Sequence, residues 1–178
     1  SGCASAVFQR YMKYQMTLAE NITISDAEKP QPESLAPLLL ENGVDPGSDS
    51  FPQGEQTMLS KEYDGVDLSG GQWQRIAIAR GYYRDRWLMI LDEPTAAIDP
   101  YEESRIYHRF AALSEGKSAV VVTHRLGSAR LADRILVLRQ GELVGSGTHE
   151  SLLRECEEYR RLWQAQSKWY RKKEANNN

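Results

Sequence analysis

Asp92 and Glu93 stand together at the end of the run "LMILD", and His124 follows the run "AVVVT". Apolar runs of this length, set between helical patterns, suit parallel strands buried on both faces. Open α/β sheets bind ligands at the carboxyl ends of their strands. A carboxylate placed there can hold Mg²⁺ through water, which suits a hard cation. A neighbouring carboxylate can orient or deprotonate a water. Taken singly, two acids in a strand-end turn are ordinary, and a lone histidine is more often structural. Two strand ends that bring acid, acid and imidazole to one edge of one sheet favour a catalytic site. A third stretch offers different chemistry. Residues 68–72 read "LSGGQ" and open onto "WQRIAIAR". The first amides of a helix lack intrahelical partners and sit at the positive end of its dipole, so this turn is built for an anion.

The elements that position these residues follow from pattern. "ASAVFQ" reads as a short strand running into a loop. Thr17 with Glu20 three residues on is a capping box that starts a helix. "PESLAPLLLENG" reads as a second helix, interrupted at Pro37 and closed by Gly43. Residues 44–67 are rich in Gly, Pro, Ser and Asp and read as loop. A buried helix spans about 71–84, and another about 100–114, with Asp99 as its N-cap and Pro100 as its first residue. "RILVLRQGELVGSG" alternates around Gln140-Gly141 and predicts a β-hairpin. From 148 onward the spacing of Leu152, Tyr159, Leu162, Trp163, Gln166 and Trp169 is helical. The aromatics and bases of that tail are read as self-packing and solvated rather than membrane-bound, and Cys156 as a packing residue.

The bulk numbers agree with one α/β domain. The chain has 178 residues and a formal net charge of −3, which gives no reason to expect nucleic acid. Its two cysteines, Cys3 and Cys156, make neither a disulfide framework nor a metal cluster. No apolar run reaches the roughly 20 residues that span a bilayer.

"LSGGQWQRIAIAR", then "LMILDEPTAAIDP", then "VVVTHR" resemble, in order and spacing, the nucleotide-binding domain of ATP-binding cassette (ABC) proteins. "VFQ" at 7–9 matches the glutamine loop of that family, and "LAENI" and the stretch after His124 resemble its exporters. The resemblance implies a partial P-loop-type parallel sheet with an inserted helical subdomain (about 10–85), the second half of the catalytic core (about 86–147), and a C-terminal helix and tail (about 148–178). It implies ATP and Mg²⁺ as ligands. Glu93 would be the general base and His124 would contact the γ-phosphate. Asp92, and Gln9 through water, would serve Mg²⁺. Ser69, Gly70, Gly71 and Gln72 would face the ATP of a second domain in a head-to-tail dimer, and Asp99 would bridge that dimer. It also implies transmembrane domains, in the same parent chain, and a place on the cytoplasmic face of a membrane. Ala97-Ile98 is a mild departure from the family pattern. Trp73 is a second, read as helix packing.

The phosphate loop G-x-x-x-x-G-K-[ST] has no match. Gly116-Lys117-Ser118 supplies the ending, but Ala111 stands where the first glycine belongs, and the stretch follows a helix and enters a strand. It reads as a turn. The expectation is therefore an ATPase component of an exporter whose phosphate loop lies elsewhere in a longer parent or is lost by truncation. The stretch alone is expected to be inactive. The rival readings are an inert or regulatory module that pairs with a complete domain, and a soluble ABC ATPase of DNA repair or translation.

Overall fold

The strands β1 (Ala4–Val7), β2 (Leu88–Asp92) and β3 (Ser118–Val122) form a parallel sheet in that spatial order. They are seen in a computed structural model that describes residues 4–93 and 100–175. Parallel neighbours need long crossovers. The first crossover contains the helices α1 (Leu18–Thr23), α2 (Ala36–Glu41) and α3 (Gly70–Tyr83). The second contains α4 (Pro100–Leu113). Val7 pairs with Leu91, and Asp92 with Val122. The three strands therefore end side by side, and whatever follows Val7 and Leu91 emerges at one edge.

One face of this sheet carries the core. Val7, Met89 and Leu91 pack with Ala77, Ile78 and Tyr82 of α3 and with Ile106 and Phe110 of α4, and Val121 joins them. The other face is more open, which corrects the expectation that both apolar runs are buried on both faces. Val120 and Val122 are 48% and 52% exposed. Among the described strands β3 is the last of its sheet, and its alternate side chains point away from α3 and α4.

The helical crossover has its own core. Leu18, Ile22, Leu35, Leu39, Phe51 and Leu59 surround Trp73, Ile76, Ala79 and Tyr83 of α3. Trp73 is thus a packing residue, as its sequence context predicts. Helix α3 belongs to both cores, so it is buried nearly all round and shows no polar face. Large apolar side chains on it contribute about 1.5–3 kcal/mol each. The capping box at α1 forms as expected: the Thr17 hydroxyl accepts from the Glu20 amide, and the Glu20 carboxylate accepts from the Thr17 amide at 2.9 Å. Pro37 does not interrupt α2. It sits in the first turn, where a missing N–H costs nothing. Gly43 ends the helix with φ of 72°.

The chain divides after Val122 into a second compact unit. It holds α5 (Leu126–Ala129), the antiparallel strands β4 (Ile135–Arg139) and β5 (Glu142–Gly147), α6 (His149–Glu155) and α7 (Glu157–Ala175). Gln140 and Gly141 both have positive φ, the twisted two-residue turn that hairpins favour. Leu126, Val137, Leu152, Cys156 and Tyr159 form the core of this unit, with Trp163 against it. The tail is two helices rather than one, because Cys156 is extended and breaks it. The short α5 has no signal in the sequence. No helix among the described residues is long and apolar enough to cross a membrane.

Candidate functional site

The acids sit where the strand pattern puts them. Asp92 is the last residue of β2 and is half-buried. Glu93 follows with φ of 46°, a conformation uncommon for a residue with a side chain. Its amide donates to the Val122 carbonyl at 2.8 Å. That bond prolongs the β2–β3 pairing by one residue and fixes where the Glu93 side chain departs. Left-handed backbone at a strand end is where strain tends to coincide with function. Gln9 lies in an exposed bend two residues beyond Val7, at the same edge of the sheet.

The "LSGGQ" turn forms the start of α3. Ser69 is the N-cap: its hydroxyl accepts from the Gln72 amide, and the Gln72 side-chain oxygen accepts from the Ser69 amide at 2.9 Å. The Gln72 side-chain nitrogen also donates to the Ser50 hydroxyl at 3.1 Å. Gln72 therefore shapes the turn from within. The capping box leaves the amides of Gly70 and Gly71, for which the helix itself offers no acceptor. A Cβ at either glycine would meet nothing within 4 Å. The turn is open, bare and amide-rich.

Side chains that the sequence did not single out tie the Gln9 segment to α3. The Tyr11 hydroxyl donates to the Gly70 carbonyl at 2.9 Å. Arg80, one α3 face further on, donates to the Asn21 carbonyl at 2.7 Å, to the Asn21 side chain at 3.0 Å and to the Met12 carbonyl at 3.1 Å. It also lies over the Tyr14 ring at 4.7 Å. Burial pulls the Arg80 pKa down from its ordinary value, and the nearby Tyr14 opposes that shift. Asn21 is fully buried and donates to the carbonyls of Tyr14, Met16 and Thr17. Their trace in the sequence is slight: Arg80 is one of several polar residues on α3, a helix buried on most sides.

Gly116 and Lys117 lie in the turn between α4 and β3, and Ser118 opens the strand, so the stretch follows a helix and enters a strand as its context predicts. Lys117 donates to Asp85 at 2.6 Å, and this hydrogen bond holds the Asp85 carboxyl below its usual range. The lysine is engaged in a surface ion pair.

His124 belongs to the second unit and is exposed. Its carbonyl accepts from the side-chain nitrogen of Gln166 on α7. Asp99 lies outside the described residues.

Comparison with known proteins agrees with these features. The ABC transporter family profile matches residues 4–96. The subtilin transport ATP-binding protein SpaT of Bacillus subtilis is 43% identical over 160 residues, which cover 89% of this chain and 26% of that protein. The nisin transport ATP-binding protein NisT of Lactococcus lactis is 37% identical, over 89% of this chain and 27% of its own. An ATP-dependent lipid A-core flippase of Idiomarina loihiensis is 38% identical over 83% of this chain and 25% of its own. Among solved structures, a bacterial Atm1-family ABC exporter with ATP bound superimposes with a TM-score of 0.81 at 27% identity, over 93% of this chain and 29% of that one. The chain thus spans about a quarter of the length of these relatives.

Proposed function

Because the chain belongs to the ABC transporter family, we propose that it is part of the ATP-hydrolysing component of an exporter. That component works on the cytoplasmic face of a membrane, joined to transmembrane domains in the same parent chain. The observation that carries the reading is the open turn at Gly70 and Gly71. The helix start is capped by Ser69 and Gln72, which leaves the Gly70 and Gly71 amides without an intrahelical acceptor, and among the described residues a Cβ at either glycine would meet nothing within 4 Å. Such a surface receives an anion from outside. In a head-to-tail pair of domains, that anion is the γ-phosphate of the partner's ATP, with Ser69, Gly70 and Gly71 facing it and Gln72 holding the turn.

The sheet edge supplies the complementary half. Asp92 offers hard oxygen at a half-buried strand end. The described residues contain no group of three metal-ligating side chains. A lone carboxylate fits Mg²⁺, which keeps most of its waters and takes its other ligands from substrate. Asp92 would hold it through water, with Gln9 approaching the same cation. When bound, Mg²⁺ neutralises phosphate charge. Glu93 takes the proton of the attacking water, and His124 contacts the γ-phosphate as charge moves. Asp99 bridges the two domains. Phosphoryl transfer depends mainly on positioning and charge stabilisation, and these groups supply part of both. The phosphate loop and adenine contacts are not among these residues, so the stretch alone does not turn over ATP.

The test is Ser69→Arg in the full-length transporter. The substitution fills the open turn, and the lost cap costs only about 1 kcal/mol. ATP-driven pairing of the two domains is abolished while ATP binding to each persists. Wild-type pairing in sedimentation or spin-label distance measurements would remove the partner-facing role.

A further inference from the structure

We infer that Gln166, on the C-terminal helix, is the positioning residue for His124. The inference rests on the reading of His124 as a γ-phosphate contact. It starts from a single amide side chain that reaches 42 positions back along the chain. The side-chain oxygen of Gln166 accepts from the Leu126 amide at 2.9 Å. Its nitrogen donates to the His124 carbonyl. The orientation of the amide is fixed by its partners, since an N–H demands oxygen and a carbonyl demands nitrogen.

The rest of the turn is pinned as well. The Thr123 hydroxyl accepts from the Arg125 amide at 2.9 Å. Leu126 is buried with Val137, Leu152, Cys156 and Tyr159. His124 therefore sits in a turn that is fixed on both sides of Arg125, once by its own Thr123 and once by α7. Its side chain is left exposed. The aim of a histidine in a loop depends in part on its backbone, and a displacement of about 1 Å at a reacting group can cost on the order of a hundredfold in rate. Gln166 supplies that aim with one donor and one acceptor, and α7 anchors Gln166 through Tyr159 and Trp163 in the same core. The C-terminal helix is thereby part of the catalytic apparatus without touching substrate.

The experiment is Gln166→Leu in the full-length transporter, which keeps the bulk and removes both bonds. We expect kcat to fall about tenfold, two hydrogen bonds at a few-fold each, with KM for ATP unchanged and the thermal midpoint close to wild type. The decisive readout is epistasis. In a His124→Ala background, Gln166→Leu lowers the residual turnover no further, because the residue acts only through the histidine. Hydrogen exchange at the Leu126 amide rises about threefold to tenfold in the same variant. Gln166→Glu keeps the acceptor for Leu126 and loses the donor to His124, and it carries the same kinetic test if the leucine variant folds poorly. Wild-type kcat, or a loss that persists undiminished in the His124→Ala background, overturns the inference. Wild-type turnover in His124→Ala alone overturns the reading of His124 instead, and the exchange at Leu126 then still decides whether Gln166 holds the turn.

Discussion

Gly65→Ala is expected to disrupt the approach to the LSGGQ turn at residues 68–72, and the structure sets its size. Gly65 crosses the 58–60 segment so closely that a Cβ would overlap the Met58 carbonyl oxygen. That Cβ would also lie 2.7 Å from the Met58 carbonyl carbon and 2.8 Å from its Cβ. Two of the three obstacles are backbone atoms, which no rotamer change can move. The crossing is also hydrogen-bonded, from the Val66 amide to the Met58 carbonyl at 2.8 Å and from the Gly65 amide to the Ser60 carbonyl at 2.9 Å. Separating the strands of chain costs about 1–3 kcal/mol as overpacking. Each bond lost adds about 0.5–1.5 kcal/mol. Alanine returns about 0.4–1 kcal/mol by restricting the unfolded chain. With both bonds lost the net is a loss of about 1–6 kcal/mol, at roughly 2–4 °C in thermal midpoint per kcal/mol for a domain of this size. Urea unfolding followed through the fluorescence of the buried Trp73 measures it directly. A variant within about 0.5 kcal/mol of wild type would show that the crossing is not as tight as described and would sink the reasoning.

Glu93→Gln in the full-length transporter lowers steady-state ATP turnover by about 10²–10⁴ while ATP binding survives, as expected for loss of a general base; unchanged turnover would remove Glu93 from that role. The second unit is expected to lose stability in mild acid. His149 is buried, with its Nδ1 at 2.8 Å from the Tyr159 hydroxyl, and its pKa is lowered first by burial and then by Arg130, against a smaller opposing pull from Glu150. The unfolded chain then binds more protons than the folded one between the folded pKa and the ordinary value of about 6.5. Stability is therefore full above that value, falls as the pH drops toward the folded pKa, and levels off below it. Thermal midpoints measured across this window should fall for wild type and stay flatter for His149→Gln; equal slopes would exclude His149 as the source.

Much of this molecule was legible in the sequence where local rules and tertiary need agree. The Thr17–Glu20 box, the Gln140-Gly141 turn and the Lys117 turn all follow from local rules, whereas the Ser69–Gln72 box at the start of α3 went unread. Burial was less legible. The valines of β3 have the composition of a central strand, but composition does not reveal that β3 is the last of the described strands in its sheet. Pro37 was misread because proline is tolerated in a first turn and harmful one turn later, and the sequence does not mark which turn it occupies. The supports of the site were the least legible. Arg80, Asn21, Tyr11 and Gln166 act on backbone carbonyls and amides, many of them forty to seventy positions away. Backbone groups have no residue type, so such partners leave no paired pattern to read.

The glycines separate what the fold needs from what a partner needs. At Gly65 the missing side chain is explained inside the chain, by the Met58 backbone pressed against it. At Gly81 the same holds, because a Cβ there would lie 2.6 Å from Val7 where α3 meets β1. Gly70 and Gly71 have no such explanation. They stand in the first turn of a helix, and a Cβ at either would meet nothing within 4 Å. Among the described residues, no neighbour within 4 Å requires them to be bare. Helix α3 is held in both cores and by Tyr11 and Arg80, so the turn is presented rigidly rather than left to adjust. A rigid, capped turn of two glycines leaves room for close approach by another group. Amides at a helix start favour an anion, which is the ligand proposed for this turn.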